Sequence, residues 1–258
     1  HKGPVPRPPN PSASETRKHR IRNIRQGHLS LNPVSPAETN TPETYQGNSM
    51  TWCNGKALTG PDWINSVGTV TAMVIPLGIH YGICLAWLCV YWSPYGYILL
   101  AFAIPSTVVI ATSFFFAATD DPGIIPRNSE PPRIIRENPG IPRVFHTQMN
   151  GKPILIKYCE TCKHWRPPRA LHCFVCNNCV EQFDHHCPYL SNCVGRRNYR
   201  MFFIFVLSAT FHLLFAIGTS ALQLYLNTKR FLDLGVPSTG EAFLQAMRFW
   251  GSAILLVL

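Results

Sequence analysis

The sequence predicts an α-helical integral membrane protein: a four-helix transmembrane bundle, its fourth helix truncated, that carries a small cytosolic cysteine-rich domain of β-hairpins. Three long stretches contain no charged residue, and a fourth apolar stretch begins near the end of the 258-residue chain. Between the second and third stretches, a short segment holds most of the cysteines.

The N-terminal part of the chain differs from the rest in composition. Residues 1–46 are basic and rich in proline, and because they have few large apolar side chains we predict that they are disordered. Residues 47–66 form a juxtamembrane segment, whose glycines and aromatic residues predict a short strand and turn packed against the membrane surface. The chain starts without Met and stops inside an apolar run, which predicts a fragment at both ends.

The apolar stretches predict three transmembrane helices and the start of a fourth. Each of the first three exceeds the roughly 20 residues needed to cross a bilayer. Their ranges are 67–92, 95–118 and 202–226, and the fourth covers 249–258. A short turn joins the first two, so their outer flanks share one compartment, which the positive-inside rule assigns to the cytosol. Residues 119–200 are then a cytosolic loop and residues 227–248 a luminal one.

The positive charge of the chain has a membrane explanation. There are 23 Lys and Arg residues against 13 Asp and Glu, a balance that can indicate nucleic-acid binding. Here, however, the basic residues lie in two segments that flank the apolar stretches. We therefore predict anionic lipid headgroups, and not nucleic acid, as the electrostatic partner.

The core of the cytosolic loop, residues 157–195, has the composition of a metal-binding domain. Between Cys159 and Cys193 there are seven cysteines and four histidines, with three CxxC steps. A CxxC step lets two thiolates share an ion, and disulfides are rare on the cytosolic side of membranes, so zinc is favoured over a disulfide framework. Two zinc ions need eight ligands. Six cysteines with His172 and His186 supply them and leave Cys187 over.

The remaining cysteine follows a carboxylate and two imidazoles in the run Asp184-His185-His186-Cys187. A nucleophilic cysteine needs a base within reach and a group that orients the base, and this run supplies all three. Spacing alone leaves open which histidine binds metal and which serves the thiol. The alternative is that Cys187 is an ordinary ligand or an inert buried thiol.

The cysteine and histidine pattern resembles that of the DHHC protein S-acyltransferases, or palmitoyltransferases, with no gap in the family's spacing. The match runs from Cys159 through the Asp184–Cys187 run to CPYLSNCVG, which ends at Gly195. The sequence Asp-Pro-Gly at 121–123 matches a further family motif. Two departures are Tyr189 in place of Trp and Ser191 in place of a common Asn. The segment before the first span is similar to that of the fungal Ras-palmitoylating branch.

The resemblance implies a role for each residue of the cluster. One zinc ion would be held by Cys159, Cys162, His172 and Cys179. The second would be held by Cys173, Cys176, His186 and Cys193. Cys187 would be the acylated nucleophile, His185 its base and Asp184 the carboxylate that fixes the imidazole.

The resemblance also implies a reaction and partners. A long-chain fatty acyl group such as palmitoyl would pass from acyl-CoA through acyl-Cys187 to cysteines of substrate proteins, Ras-like GTPases among them. The protein would reside in the endoplasmic reticulum or Golgi membrane with a small accessory subunit. Candidates for binding the phosphates of acyl-CoA are Arg166, Arg169, Arg196 and Arg197. The alternative function is a membrane-tethered zinc-binding adaptor in which Cys187 performs no chemistry.

Overall fold

Long apolar helices and a set of short hairpins make up the computed structural model, which describes residues 47–149 and 151–248. The helices are α1 (Ile64–Tyr91), α2 (Tyr95–Thr119), α3 (Arg133–Glu137), α4 (Tyr199–Asp233) and α5 (Thr239–Arg248). The strands are β1 (Met50–Trp52), β2 (Ala57–Thr59), β3 (Ile124–Ile125), β4 (Val144–Met149), β5 (Lys152–Cys159), β6 (His164–Trp165), β7 (Leu171–Cys173), β8 (Asn178–Val180), β9 (His185–Cys187) and β10 (Asn192–Val194). The predicted disordered segment 1–46 and the predicted start of a fourth span at 249–258 lie outside the described residues.

Three helices, α1, α2 and α4, are long and apolar enough to cross a membrane. They contain 28, 25 and 35 residues, against the roughly 20 that a bilayer core requires. The fold therefore contains the helical, membrane-spanning part that the sequence predicts, while its count of described candidate spans is three. Helix α4 continues beyond the predicted limit at residue 226 as far as Asp233.

The predicted loop 227–248 is largely helical. Nothing in the sequence 227–233 breaks a helix, and Arg230 lies over the ring of Tyr91, 4.0 Å from its centroid, which ties the end of α4 to the end of α1. After a turn at Gly235, the Ser238 hydroxyl accepts a hydrogen bond from Glu241 N (3.2 Å) and caps α5. Helix α5 then packs against α4 and buries Ala242 and Ala246. The serine before α5 is a helix-start signal in the sequence, and the luminal position of residues 227–248 stays a prediction.

Polar side chains join the three long helices in their apolar interior. His80 Nε2 lies 2.8 Å from the Thr219 hydroxyl, which connects α1 to α4, and His212 Nδ1 lies 2.7 Å from the Ser106 hydroxyl, which connects α4 to α2. His80 begins a π-helical turn of α1, His80–Leu85. Both histidines are therefore hydrogen-bonded packing residues at helix contacts.

The chain between α2 and α4 folds into antiparallel strands with little apolar interior. Strands β4, β5 and β6 form one three-stranded sheet, β3, β8 and β7 form another, and β9 pairs with β10. Two of the buried clusters in this region consist mainly of cysteines with a few residues such as Ile124, Ile125 and Val180. So small an apolar core is typical of a domain that metal ions hold together.

The segment before α1 contains the predicted strand and turn, as the hairpin β1–β2. Its turn residues Cys53, Asn54 and Gly55 have positive φ angles. The segment does not lie only against the membrane surface, however: Asn48 N donates to Cys176 O (2.9 Å), and Gly60 N donates to Ser191 O (2.5 Å). It is therefore bonded to the cysteine-rich domain.

Buried amides fix this domain to the ends of the helices. Asn192 Nδ2 donates to Ala118 O (3.1 Å) and Asp120 O (3.0 Å) at the end of α2. Asn198 Nδ2 donates to Ala117 O (3.0 Å) and to Cys193 O (2.8 Å). Because both side chains are fully buried, these bonds set the position of β10 relative to the membrane helices.

The Asp-Pro-Gly sequence after α2 forms a tight turn. Asp121 Oδ1 accepts hydrogen bonds from Gly123 N and Ile124 N, both 2.8 Å, and its other oxygen pairs with Arg197. Gly123 has φ +105°, which a side chain would strain. The turn directs β3 onto β8 and so supports the sheet that carries metal-binding residues.

Candidate metal centres and thiol site

The first group of metal-binding side chains contains the four residues predicted for one zinc ion. Cys159 and Cys162 come from the turn between β5 and β6, and His172 and Cys179 are paired residues on β7 and β8. His172 Nδ1 lies 3.6 Å from Cys159 Sγ, 3.5 Å from Cys162 Sγ and 3.7 Å from Cys179 Sγ.

The second group contains the four residues predicted for the other ion. Cys173 and Cys176 come from the turn between β7 and β8, and His186 and Cys193 are paired residues on β9 and β10. His186 Nδ1 lies 3.4 Å from Cys176 Sγ and 3.7 Å from Cys193 Sγ, and the two sulfurs lie 3.5 Å apart.

Both groups fit a tetrahedral zinc ion. Zn–S bonds of about 2.3 Å and Zn–N bonds of about 2.0 Å place neighbouring ligand atoms about 3.6 Å apart in a tetrahedron. The separations in both groups are close to this value. Three sulfurs and one nitrogen form a donor set that is typical of structural zinc. Either group could therefore hold a metal ion.

The ionisation of the thiols supports the same conclusion. In the first group, the contact with Cys179 lowers the pKa of Cys162 to about 3, whereas the contact with Cys162 and burial raise the pKa of Cys179 far above its ordinary value. In the second group, Cys176 and Cys193 lower the pKa of Cys173, and Cys173 raises that of Cys193. Each group thus holds thiols whose ionisation depends on their neighbours, and a bound cation would favour the thiolate forms.

The cysteine-rich domain repeats one turn three times, with equivalent residues at every fourteenth position. The turns begin at Cys159, Cys173 and Cys187. In each turn the fifth residue has a positive φ angle: Lys163 (55°), Asn177 (51°) and Ser191 (50°). The fourth residue is Cys162 in the first turn and Cys176 in the second, and both donate their backbone N–H to the sulfur of the first cysteine, at 3.4 Å.

The third turn departs from this pattern at one position. Leu190 stands where the other turns have their second cysteine, and its backbone N–H donates to Cys187 O (3.2 Å). Cys187 thus has the position in its turn that Cys159 and Cys173 have in theirs, but no second cysteine follows three residues later. The third turn thus lacks the cysteine pair that the first two turns contribute to the metal groups.

Alternation along β9 separates the metal side chains from the thiol site. Side chains of successive strand residues point to opposite faces. His186 and its cross-strand partner Cys193 both belong to the second group, and His185 and Cys187 therefore lie on the other face of the strand. Of the two histidines, only His186 lies on the face of the sulfurs.

The face of β9 that carries Cys187 packs against the long helices. Cys187 is 6% exposed and belongs to a cluster with Phe114, Ala117 and Ala118 of α2 and with Leu190 and Val194. Met201, Phe202 and Phe205 of α4 pack against the same cluster. The thiol therefore lies among apolar side chains at the ends of two candidate membrane helices.

The neighbouring imidazole is held by a carboxylate. His185 Nδ1 lies 2.7 Å from Asp184 Oδ2, and the ring packs edge-to-face on Phe202 with centroids 5.3 Å apart. Phe202 also packs against the cluster that contains Cys187. Because Nδ1 faces the carboxylate, Nε2 is the nitrogen available to accept a proton.

The four predicted phosphate-binding arginines have different surroundings. Arg196 pairs with Glu181 at 3.0 Å, and Arg197 pairs with Asp121. Arg169 is exposed and has φ +65°. Arg166 is partly buried, and its backbone N–H donates to Lys157 O (2.9 Å). The arginines at 196 and 197 thus also support the fold around β3 and β8.

Sequence reasoning missed several residues that position the site. Asp62 contacts His186, and the hydroxyl of Ser191 donates to Asp62 O (2.7 Å), while Asn192 and Asn198 fix β10 to α2. The repeat at every fourteenth residue was the available signal for Ser191, since it aligns with Lys163 and Asn177 at the left-handed position.

Comparison with known proteins agrees with this geometry. Residues 152–256 match the family described as DHHC palmitoyltransferase. The chain is 36% identical over 197 residues to "Protein S-acyltransferase 8" of Arabidopsis thaliana, an alignment that covers 70% of this chain and 48% of the relative. It is 38% identical over 180 residues to "Probable protein S-acyltransferase 6" of Arabidopsis thaliana, with 65% and 44% covered.

A fungal relative has a similar level of identity. The chain is 37% identical over 209 residues to "Palmitoyltransferase erf2" of Aspergillus fumigatus, with 75% of this chain and 34% of the relative covered. The chain spans less than half the length of each of these relatives.

All eight metal-binding positions, the Asp184–Cys187 run and helix α4 lie inside residues 152–256, so the family match covers the whole site. The resemblance seen in the cysteine and histidine spacing is thereby confirmed. Residues 152–256 of this chain match the DHHC palmitoyltransferase family, and the chain is similar to proteins named as S-acyltransferases and palmitoyltransferases.

Proposed function

We propose that this protein is an integral-membrane protein S-acyltransferase that forms an acyl-Cys187 intermediate and passes the acyl group to cysteines of substrate proteins. The observation that carries the proposal is the alternation on β9. It leaves Cys187 outside both metal groups and against α2 and α4, beside a histidine that a carboxylate orients. A metal-binding adaptor has no need for this arrangement.

The first half of the reaction uses acyl-CoA as donor. His185 Nε2 accepts the proton of the Cys187 thiol, and Asp184 stabilises the imidazolium through Nδ1–H. The thiolate attacks the carbonyl carbon of the thioester, a bond forms between that carbon and Cys187 Sγ, and the bond to the sulfur of CoA breaks. The CoA thiolate leaves and takes the proton from His185.

The second half transfers the acyl group to the substrate protein. The thiol of a substrate cysteine gives its proton to His185 and attacks the acyl carbon on Cys187. The new thioester forms as the bond to Cys187 Sγ breaks, and the Cys187 thiolate recovers the proton from His185. Two thioester exchanges therefore leave the enzyme unchanged.

The zinc ions have a structural role in this proposal. When bound, they neutralise the thiolates of the two groups and hold the turns that a small apolar core cannot hold. His186 and Cys193 belong to the second group, so the residue next to Cys187 is fixed by metal. No proton or acyl group passes through either ion.

The membrane position of the thiol suits a long acyl chain. A palmitoyl chain has roughly fourteen methylenes, and at about 0.8 kcal/mol each it prefers hydrocarbon to water by about 11 kcal/mol. The apolar neighbours of Cys187 on α2 and α4 allow the chain to remain in hydrocarbon while its carbonyl reaches the thiol. Arg169 and Arg166, with Arg196 and Arg197, are the proposed contacts for the phosphates of CoA.

The proposal also covers the membrane topology, the organelle and the protein partners. We assign the N-terminus and the cysteine-rich domain to the cytosol and residues 227–248 to the lumen, with a fourth span from residue 249, in the membrane of the endoplasmic reticulum or Golgi. Ras-like GTPases are the proposed substrates and a small accessory subunit the proposed partner, because the segment before the first span resembles that of the fungal Ras-palmitoylating branch. The rival proposal, a zinc-binding adaptor, predicts no acyl-enzyme.

Incubation of the purified full-length protein with a fatty acyl-CoA tests the proposal. We expect a hydroxylamine-labile acyl label on the wild type and none on Cys187→Ser. Cys53→Ser is the matched control, because it removes an exposed cysteine outside both metal groups and should keep the label. Equal labelling of wild type and Cys187→Ser, or no labelling with both metal ions bound, would favour the adaptor.

A further inference from the structure

The segment that precedes α1 is bonded to the turns that carry the second metal group and Cys187. Asn48 Nδ2 donates to Val175 O (3.1 Å), beside Cys176. Further along, the Ser191 hydroxyl donates to Asp62 O (2.7 Å) and accepts from Ser66 N (3.0 Å). The start of α1 therefore meets the turn that follows Cys187.

One side chain of this segment reaches a metal-binding histidine. Asp62 Oδ2 lies 3.2 Å from His186 Nε2, and both side chains are largely buried. Space around the contact is limited: a Cβ on Gly60 would lie 2.7 Å from Ser191 O, 2.9 Å from Asp62 Oδ1 and 3.3 Å from His186 Cε1. A side chain at residue 60 would clash with the Ser191 carbonyl and press on both members of the contact, so glycine suits this position.

The contact has a chemical consequence for the second group. His186 Nδ1 faces the sulfurs of Cys176 and Cys193, so Nε2 carries the hydrogen and donates it to Asp62. A carboxylate that accepts from the second nitrogen of a metal-binding histidine fixes its tautomer and ring orientation and increases its strength as a ligand. His186 stands between His185 and Cys187 on β9, so its ring orientation governs where both neighbours lie.

We propose that Asp62 is a positioning residue of the acyl-transfer site, which orients His186 and thereby holds β9, with His185 and Cys187, against the long helices. This inference rests on the proposed function for its catalytic part. The expected effect of Asp62 on zinc binding concerns the orientation of His186 and does not depend on the proposed function. The juxtamembrane segment is then part of the site and not only a leader into the first span.

A plainer role for Asp62 must be separated from this one. Asp62 also lies at the start of α1, where its carbonyl accepts from Asn65 N (2.9 Å) and its carboxylate from Asn65 Nδ2 (3.3 Å). A residue of this kind can simply stabilise the turn that leads into a helix, although the Asp62 carboxylate bonds no backbone N–H of α1. Asp62→Ser distinguishes the two roles, because serine is a good capping residue but is too short to reach His186.

The metal readout uses the full-length protein in detergent, loaded with zinc and mixed with a colorimetric zinc chelator. We expect Asp62→Ser and Asp62→Ala to release one of the two ions about 10–100 times faster than the wild type, and the other ion at the wild-type rate. Asp62→Glu keeps the carboxylate and should restore slow release. Zinc release from Asp62→Ser at the wild-type rate would mean that the residue only stabilises the start of α1. Equally faster release of both ions would mean general destabilisation. Either result overturns the proposal.

The catalytic readout is the self-acylation rate as a function of acyl-CoA concentration. We expect Asp62→Ser to lower kcat with KM unchanged, because His185 and Cys187 are displaced while the donor site is intact. Faster zinc release with an unchanged kcat would show that the orientation of His186 by Asp62 does not affect the reaction of Cys187. If the wild type itself shows no acylation, the proposed function fails, and the zinc-release comparison still decides whether Asp62 orients His186.

Discussion

The thiol of Cys187 differs from the six other cysteines of its domain in what surrounds it. Those six face sulfur and imidazole in the two metal groups, whereas Cys187 contacts apolar side chains of α2 and α4. The imidazole on its own face, His185, is fixed by Asp184 at 2.7 Å. Cys187 thus lies outside both metal groups, on the same strand face as a histidine that a carboxylate holds, and packs on apolar side chains.

Asp184 is expected to act through the tautomer of His185. We expect Asp184→Asn to slow self-acylation by about two to four orders of magnitude, because a neutral amide neither holds the tautomer nor stabilises the imidazolium. The zinc content should stay at the wild-type level, since Asp184 belongs to neither metal group. The measurement is the initial rate of label incorporation, with metal analysis of the same samples.

A control variant separates this effect from loss of surface charge. Glu130→Gln removes a carboxylate of an exposed ion pair with Arg136 and should leave the rate unchanged. Similar rates for Asp184→Asn and Glu130→Gln would show that the carboxylate has no part in the reaction.

The order of turns and hairpins in the domain explains why the third turn carries a thiol outside both metal groups. Each of the first two turns gives two cysteines to a group that is completed by a histidine and a cysteine of the next hairpin. The third turn has no hairpin after it within the domain, and α4 begins at Tyr199. Its first residue, Cys187, and its fourth, Leu190, therefore pack on helices.

This comparison predicts the effect of restoring the missing cysteine. Leu190→Cys places a second thiol at the position that Cys162 and Cys176 have in their turns. We expect Zn²⁺ to inhibit self-acylation of this variant at concentrations at least about ten times lower than for the wild type, because a CxxC pair binds zinc. Leu190→Ser, which also removes the buried leucine, is the control. Equal sensitivity of all three proteins to Zn²⁺ would contradict the equivalence of the turns.

The attachment of β10 to α2 gives a prediction about stability. Asn198 is fully buried, donates to Ala117 O and Cys193 O, and accepts from Gly195 N at 2.9 Å. Asn198→Ala leaves buried backbone groups without these bonds, so we expect it to lower the free energy of unfolding by about 2–4 kcal/mol. Thermal unfolding in detergent measures the loss. Asn128→Ala, which removes one exposed bond to Lys163 O, should change it by less than about 1 kcal/mol, and an equal effect would contradict the argument.

The sequence predicts the local parts of this molecule better than its long-range contacts. The CxxC steps and the neighbouring histidines predict two metal ions with eight ligands, and the resemblance to a known family predicts how those ligands divide between two groups. The contact of Asp62 with His186 joins residues 124 positions apart, and it forms only once α1 and β9 have their final places. The helical continuation of α4 to Asp233 was missed for another reason: hydropathy defines where a membrane ends, and a helix can continue into water.

At the scale of the whole molecule, two parts of the chain are stabilised in different ways. The helices α1, α2 and α4 satisfy their backbone groups internally and are apolar enough to cross a membrane. The cysteine-rich domain has interior positions occupied mainly by ligand sulfurs, as in the cluster of Ile125, Ala170 and three cysteines of the first group. Its folding should therefore depend on metal, whereas that of the helices should not.

Removal of both metal ions should unfold residues 157–195 and leave the long helices intact. A strong chelator is expected to abolish hydrogen-exchange protection across these residues, because the thiolates then repel one another around an interior with few apolar side chains. Residues 47–60 should lose protection with them, since Leu58 packs in the cluster of Cys173, Cys176 and Cys193 and Gly60 bonds to Ser191. The far-UV circular dichroism of the helices should remain. Cys187→Ser must behave like the wild type, because Cys187 belongs to neither group; persistent protection of 157–195 without metal would instead show that the hairpins fold through their apolar contacts alone.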